Sequence, residues 1–211
     1  MSVVPKKTYG QHFLADENIL RVIERLAALH ADDVVLEIGP GLGVLTRFLA
    51  DRVAHVHAVE VDRSLEPRLR GELGGRRNVD LAFGDALRLD LAALAPAPDK
   101  LVANLPYNVA TPIVVESLDG LPSLAHWCVM VQREVADRFF AEPRTKAYGA
   151  VSVLLQLATE KTGFHPVART VFRPPPNVDS ALVACRRREL PAEGLERGCR
   201  LVPRREAGEL E

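Results

Sequence analysis

The apolar run Val34 to Ile38 is short and rich in β-branched residues, as suits a parallel strand buried on both faces, and the other periodic segments can be placed relative to it. Upstream, Ile19, Leu20, Val22, Ile23, Leu26 and Ala27 recur at helical spacing behind Asp16, which reads as an N-cap, so an amphipathic helix is predicted to pack on the sheet. Downstream, helical and strand-like stretches alternate. A helix beginning near Val44 leads to a strand from His55 to Glu60. A short helix through Leu65 and Leu69, broken by Gly71, Gly74 and Gly75, leads to a strand that starts at Val79 and ends before Asp85. A further strand from Leu101 ends at Asn104, and a helix over Thr111 to Leu118 precedes the strand His126 to Gln132. Beyond Arg133 the chain is helical and charged, then loops through Pro143 to Lys146. Tyr148 to Leu157 is predicted helical, because its apolar residues alternate poorly. Phe164 to Pro176 carries four of the fifteen prolines and reads as an extended surface loop, followed by a closing strand from Asp179 to Cys185. From Glu189 onward no apolar period survives, and a poorly ordered tail is expected.

Polar residues recur where the strands end. Three glycines, Gly39, Gly41 and Gly43, follow the first core strand and form a turn in which a ligand can approach backbone that a Cβ would otherwise shield. The third glycine of the dinucleotide fingerprint is replaced by Val44, which weakens the case for a pyrophosphate. Glu60 closes the next strand, where a carboxylate can accept both hydroxyls of a ribose. Asp85 and Asn104 close the two after that. Ligands bind at such carboxyl ends in open α/β sheets, so one edge of the sheet is predicted to be a site.

Composition narrows the class. A chain of 211 residues with 47% hydrophobic content can bury one substantial domain with at most a small appendage. It has no apolar run long enough to span a bilayer and no basic-then-apolar leader, so membrane insertion and secretion are not expected and the cytoplasm is. Cys128, Cys185 and Cys199 are widely spaced and give no metal pattern. His55 and His57 can share a strand face, but no further ligand is evident in sequence; they read as structural, and no metal is expected. A net charge of −1 argues against a uniformly basic nucleic-acid surface, though not against local clusters such as Lys6 with Lys7, Arg133 with Arg138, Arg144 with Lys146, or Arg186 to Arg188.

Asn104-Leu-Pro-Tyr107 carries the sharpest chemistry. The exocyclic amine of adenine is a poor nucleophile because its lone pair is delocalised into the ring. Two acceptors held at fixed angles to the amine hydrogens turn that lone pair toward a methyl donor. The Asn104 side-chain oxygen and the Leu105 carbonyl, freed from sheet pairing by Pro106, can supply the pair, and the Tyr107 ring offers the base a flat surface. The base must leave its stack to reach them.

In these motifs the chain resembles the small-subunit ribosomal RNA adenine N6,N6-dimethyltransferases, within the class I S-adenosylmethionine-dependent enzymes. The likeness spans residues 6 to 185 and includes Lys6 to Leu14, Glu37 to Thr46, Val59 to Asp62, Gly84-Asp85, Asn104 to Asn108, Gln132 to Asp137, Tyr148-Gly149 and Phe172 to Ser180. It implies a Rossmann-like α/β fold with a mostly parallel, doubly wound sheet and an antiparallel C-terminal strand. It implies that S-adenosyl-L-methionine is held by His12, Leu14, Gly39, Gly41, Glu60, Asp85 and Asn104, and that Asn104, Leu105, Pro106, Tyr107 and Phe172 serve catalysis, with Tyr107 and Phe172 sandwiching the target adenine. The implied reaction methylates N6 of two adjacent adenosines near the 3′ end of 16S ribosomal RNA, within a partly assembled 30S subunit, by a monomer. The alternatives are a large-subunit ribosomal RNA adenine methyltransferase and a non-catalytic assembly factor on the same fold. His12 stands where the family usually has Asn. The expected organisation is a methyltransferase domain over residues 1–188, with residues 189–211 as a tail where the family has a helical RNA-binding domain.

Overall fold

A computed structural model of the chain describes residues 12–14 and 16–189. Lys6, Lys7, Cys199 and the predicted tail beyond Glu189 lie outside the described residues.

The elements in order are β1 (Phe13–Leu14), α1 (Glu17–Leu26), β2 (Val34–Ile38), α2 (Val44–Ala50), β3 (His55–Glu60), α3 (Glu66–Leu73), β4 (Val79–Phe83), β5 (Lys100–Asn104), α4 (Ala110–Gly120), β6 (His126–Gln132), α5 (Arg133–Phe139), α6 (Ala150–Ala158), β7 (Thr159–Val167), β8 (Phe172–Arg173) and β9 (Ser180–Arg187). Seven strands form one sheet in the order β4-β3-β2-β5-β6-β9-β7. The pairs among β4, β3, β2, β5 and β6 are parallel, whereas β9 runs antiparallel to both of its neighbours. The chain leaves β2 toward β3 on one side and later returns to β5 on the other. That makes the carboxyl ends of β2 and β5 the point where a crevice opens in an α/β sheet.

Both faces of the sheet are covered, which is why its central strands are apolar on alternate and intervening positions alike. Leu36 and Ile38 point into a core shared with Ile113, Val114 and Leu118 of α4 and Leu155 of α6. Val35 points the other way, toward Ile19, Leu20 and Ile23 of α1 and Leu45 and Leu49 of α2. Burying each such Leu or Ile stabilises the fold by about 1.5–3 kcal/mol before the entropy of ordering it. Helix α1 starts where predicted: Asp16 accepts a hydrogen bond from Asn18 N at 2.7 Å, a cap worth about 1 kcal/mol.

Two expectations fail. Gly71 does not break its helix, since α3 runs through it and is capped by Gly74. Phe164 to Pro176 is not a surface loop. Its first residues belong to β7, which pairs along β9 from Thr159 to Val167 with an irregularity between Lys161 and Gly163. Pro166 is compatible with that strand because β7 is the sheet's edge, where one side needs no donor. Phe172 and Arg173 then form β8, antiparallel to β1, with Leu14 opposite Phe172 and Phe13 opposite Arg173. This ribbon ties the lead-in to the front of the sheet.

Candidate active site

The carboxyl ends of the parallel strands open into a cavity of about 290 Å³. Its wall includes His12, Leu14, Gly39, Gly41, Glu60, Asp85, Asn104, Leu105, Pro106 and Tyr107, so ten of the residues singled out in sequence meet around one space. Among the residues predicted to serve catalysis, Phe172 is the exception. It is 1% exposed, packed in the core with Leu14 and Leu182, and absent from the cavity wall.

The glycine turn is shaped by steric necessity. Gly39 and Gly41 take φ of +77° and +59°, in the left-handed region. A Cβ on Gly41 would sit 2.9 Å from the Phe13 ring, and one on Gly39 would press Pro106 at 3.3 Å. The turn is thus wedged between the lead-in and the Asn104-Leu-Pro-Tyr107 segment.

Glu60 is nearly buried at the end of β3. Its Oε2 accepts from Gly41 N at 3.0 Å and its Oε1 from Asp62 N at 2.9 Å. Each carboxylate oxygen retains a second lone pair for a ligand. Burial raises the pKa of this carboxyl, against the lowering effect of the Asp62 and Gly41 N–H groups. Asp85 follows β4, its Oδ1 accepting from Leu87 N at 3.0 Å.

Asn104 ends β5. Its Nδ2 donates to the His12 carbonyl at 3.0 Å, which fixes the amide plane and leaves Oδ1 as the acceptor without a protein partner among the described residues. The Leu105 N–H still joins the sheet through Met130 O at 3.1 Å, whereas no backbone N–H of the described residues bonds the Leu105 carbonyl. Tyr107 is held by a hydroxyl pair with Ser180 at 2.5 Å, and the His12 ring stacks on it at 5.6 Å between centroids and 30° between planes. His12 Nδ1 lies 2.9 Å from the Pro174 carbonyl.

One residue of this wall was missed in sequence: Glu37. It is fully buried on β2, and among the described residues its Oε2 has no hydrogen-bond partner. Burial pushes its carboxyl up to about 8, with the Thr46 hydroxyl opposing and the Glu60 charge reinforcing. An acid inside the apolar run Val34-Val-Leu-Glu-Ile38 was the available signal.

The electrostatics select among ligands. Three carboxyl groups, Glu37, Glu60 and Asp85, face the cavity, and among the described residues no Lys or Arg does. Such a wall suits a cationic nucleoside and repels a pyrophosphate. A left-handed glycine cradle, a strand-end acid and a carboxyl-edge crevice at the sheet's switch point together define a class I methyltransferase. Comparisons with known proteins narrow this. The family model for ribosomal RNA adenine dimethylase matches residues 4–197. The ribosomal RNA small subunit methyltransferase A of Rubrobacter xylanophilus is 51% identical over 190 residues, covering 90% of this chain and 72% of that protein. Among solved structures, a dimethyladenosine transferase from Plasmodium falciparum superposes with a TM-score of 0.73 at 28% identity, covering 84% of this chain and 64% of that one. The 23S rRNA methyltransferase ErmE also gives 0.73, at 34% identity over 88% of this chain and 75% of its own. The chain belongs to the ribosomal RNA adenine dimethylase family. It is a ribosomal RNA adenine methyltransferase, and S-adenosylmethionine is its methyl donor.

Among the described residues no helix is long and apolar enough to cross a membrane. Several basic groups are committed inside the fold. Arg187 donates to the carbonyls of Leu124, Leu118 and Leu121, Arg188 to those of Gln156 and Thr159, and Arg186 pairs with Glu160. Arg133 and Arg138 pair with Asp137 and Glu134 one helical turn away.

Proposed function

We propose that this enzyme methylates N6 of two adjacent adenosines near the 3′ end of small-subunit ribosomal RNA, acting as a cytoplasmic monomer on a partly assembled 30S subunit and so contributing to ribosome biogenesis. The supporting observation is the pairing of two unengaged acceptors, Asn104 Oδ1 and the Leu105 carbonyl, beside the Tyr107 ring on the rim of a glycine-lined, acidic cavity. The name carried by the Rubrobacter relative supports the choice of subunit.

S-adenosylmethionine supplies an electrophilic methyl group on a sulfonium. The residues that would hold it are Gly39 and Gly41, whose missing Cβ atoms open the cradle, Glu60 at the ribose hydroxyls, Asp85 at the adenine amine, and His12, Leu14 and Asn104 along the lead-in side. Asn104 and Leu105 accept the two hydrogens of the target amine and draw its nitrogen toward a pyramidal geometry, so that the lone pair leaves conjugation with the ring and faces the methyl donor. Pro106, having no N–H, keeps the turn from re-entering the sheet. The Tyr107 ring carries the base once the His12 ring slides off it. Phe172 supplies the opposite face only when the β1–β8 ribbon parts, because its ring is buried in the core. No early general base is needed, since the amine becomes acidic as it is alkylated. Residues 1–188 act as the methyltransferase domain.

The test is mass spectrometry of small subunits lacking the modification, after incubation with the protein and isotopically labelled cofactor. Two dimethylated adenosines near the 3′ end are expected. Asn104→Ala should lower the transfer rate by about 10²-fold or more, the scale of losing one transition-state acceptor or donor, with a smaller loss of cofactor affinity. Label in large-subunit RNA, or equal losses of rate and affinity, would reject the substrate or the role of Asn104 respectively.

A further inference from the structure

The opposite end of the same strands holds a second cluster. His55 and His57 lie two apart on β3 and so project to one face, and the parallel register sets Asp80 of β4 directly beside His57. His55 Nε2 is 3.0 Å from Asp80 Oδ2 and His57 Nδ1 is 3.7 Å from the same oxygen. The donor atoms of all three residues lie within 4.8 Å of one another.

His57 is the telling member. Its Nε2 is 2.8 Å from the Pro96 carbonyl, and because a carbonyl only accepts, Nε2 carries the proton and Nδ1 the lone pair. Nδ1 is buried and has no hydrogen-bond partner among the described residues, on a residue only 2% exposed. Burial chiefly lowers the pKa of this ring. A lone pair aimed at a carboxylate oxygen 3.7 Å away is repulsive, unless a cation stands between them.

We propose that His55, His57 and Asp80 bind a divalent first-row transition cation of the zinc type, bridging β3 to the edge strand β4. Two imidazole nitrogens with one carboxylate oxygen suit zinc, cobalt or nickel, whereas magnesium and calcium favour sets made of oxygens alone. Tetrahedral bonds of 2.0–2.1 Å place ligand atoms about 3.3 Å apart, a value that the separations of the two histidines from Asp80 bracket, while the three donor atoms, within 4.8 Å of one another, must draw closer to share one ion. The Pro96 carbonyl supplies the outer hydrogen bond that orients a ligating imidazole. The Asp80 side chain is 63% exposed, so the site opens to solvent on that side and a water can complete the set. His55 Nε2 must give up the proton it directs at Asp80, either to solvent from the imidazolium or to Nδ1 as the other neutral tautomer. Sequence alone hid the site because its third ligand comes from a neighbouring strand.

The full chain, stripped with chelator and dialysed, should take up about one zinc per molecule in a calorimetric titration and unfold at a higher temperature when zinc is present. Asp80→Asn, a change at an exposed position, should weaken that binding at least tenfold and abolish the thermal shift. In the wild type, zinc should move the ¹⁵N resonance of His57 Nδ1 away from its unprotonated value. No uptake, wild-type affinity in Asp80→Asn, or an unmoved His57 resonance on saturation would each overturn the proposal, the last without relying on any variant.

Discussion

The two walls of the cleft are made in different ways. The wall proposed for the cofactor, with Gly39, Gly41, Glu60 and Asp85, stands on consecutive parallel strand ends, each residue placed by the strand immediately before it. The wall proposed for the base presents His12 and Tyr107 and is backed by buried Phe172 and Ser180, so it is assembled from segments far apart in sequence: the β1–β8 ribbon, the end of β5 and the start of β9. One wall is local and backbone-defined. The other depends on long-range pairing and on rings that already touch each other, so the entering base meets a surface that must rearrange.

Substitutions can break this contrast. Phe172→Ala should have the largest effect, costing about 3–5 kcal/mol of stability, the usual loss for a buried Phe, because its ring is core as much as site. Urea unfolding measures it, and a loss under about 1 kcal/mol would make Phe172 a free stacking residue and the two walls alike. Next comes Glu37→Gln. A carboxyl raised from 4.5 when unfolded to about 8 when folded binds its proton more tightly in the native state, so native stability falls as pH rises through that interval. The amide does not titrate, and the variant should gain on the wild type between pH 4.5 and 8, by no more than about 3 kcal/mol at pH 7. Parallel pH profiles would mean that Glu37 ionises normally.

Glu60→Ala should cost roughly 2–3 kcal/mol of cofactor affinity by removing charge-assisted bonds to a ligand, with some loss of stability as well, because the Gly41 and Asp62 N–H groups lose their acceptor. Calorimetry showing unchanged affinity would remove Glu60 from the cofactor wall. Tyr107→Phe is the mildest test. Losing the hydroxyl pair with Ser180 should cost about 1 kcal/mol of stability while leaving the stacking face intact, so kcat should fall less than twofold to fivefold; a collapse of activity would give the hydroxyl a chemical role.

The same division governs what could be read from the chain. Val34 to Ile38, the glycine turn, Glu60, Asp85 and Asn104 were legible because each needs only its own strand and the turn after it. Strand β7 was not: Thr159 to Val167 mixes charged residues, Gly163 and Pro166, as an edge strand can, and composition there imitates a loop. The two-residue strands β1 and β8 have no period to detect, so nothing local could say that Leu14 faces Phe172. Glu37 sits in an apolar run where hydrophobic pattern alone cannot distinguish a buried acid from an exposed one.

Strand β9 lies between β6 and β7 although it follows both in the chain. As the polypeptide leaves the ribosome amino end first, β6 therefore waits with one open edge and β7 has nowhere to dock until residues near 187 have emerged. Tyr107 likewise waits for Ser180, so the base wall matures after the cofactor wall during synthesis. Ribosome-stalled chains released just short of Ser180 should aggregate through the exposed β6 edge, and a soluble fragment of that length would show that vectorial order imposes no such delay.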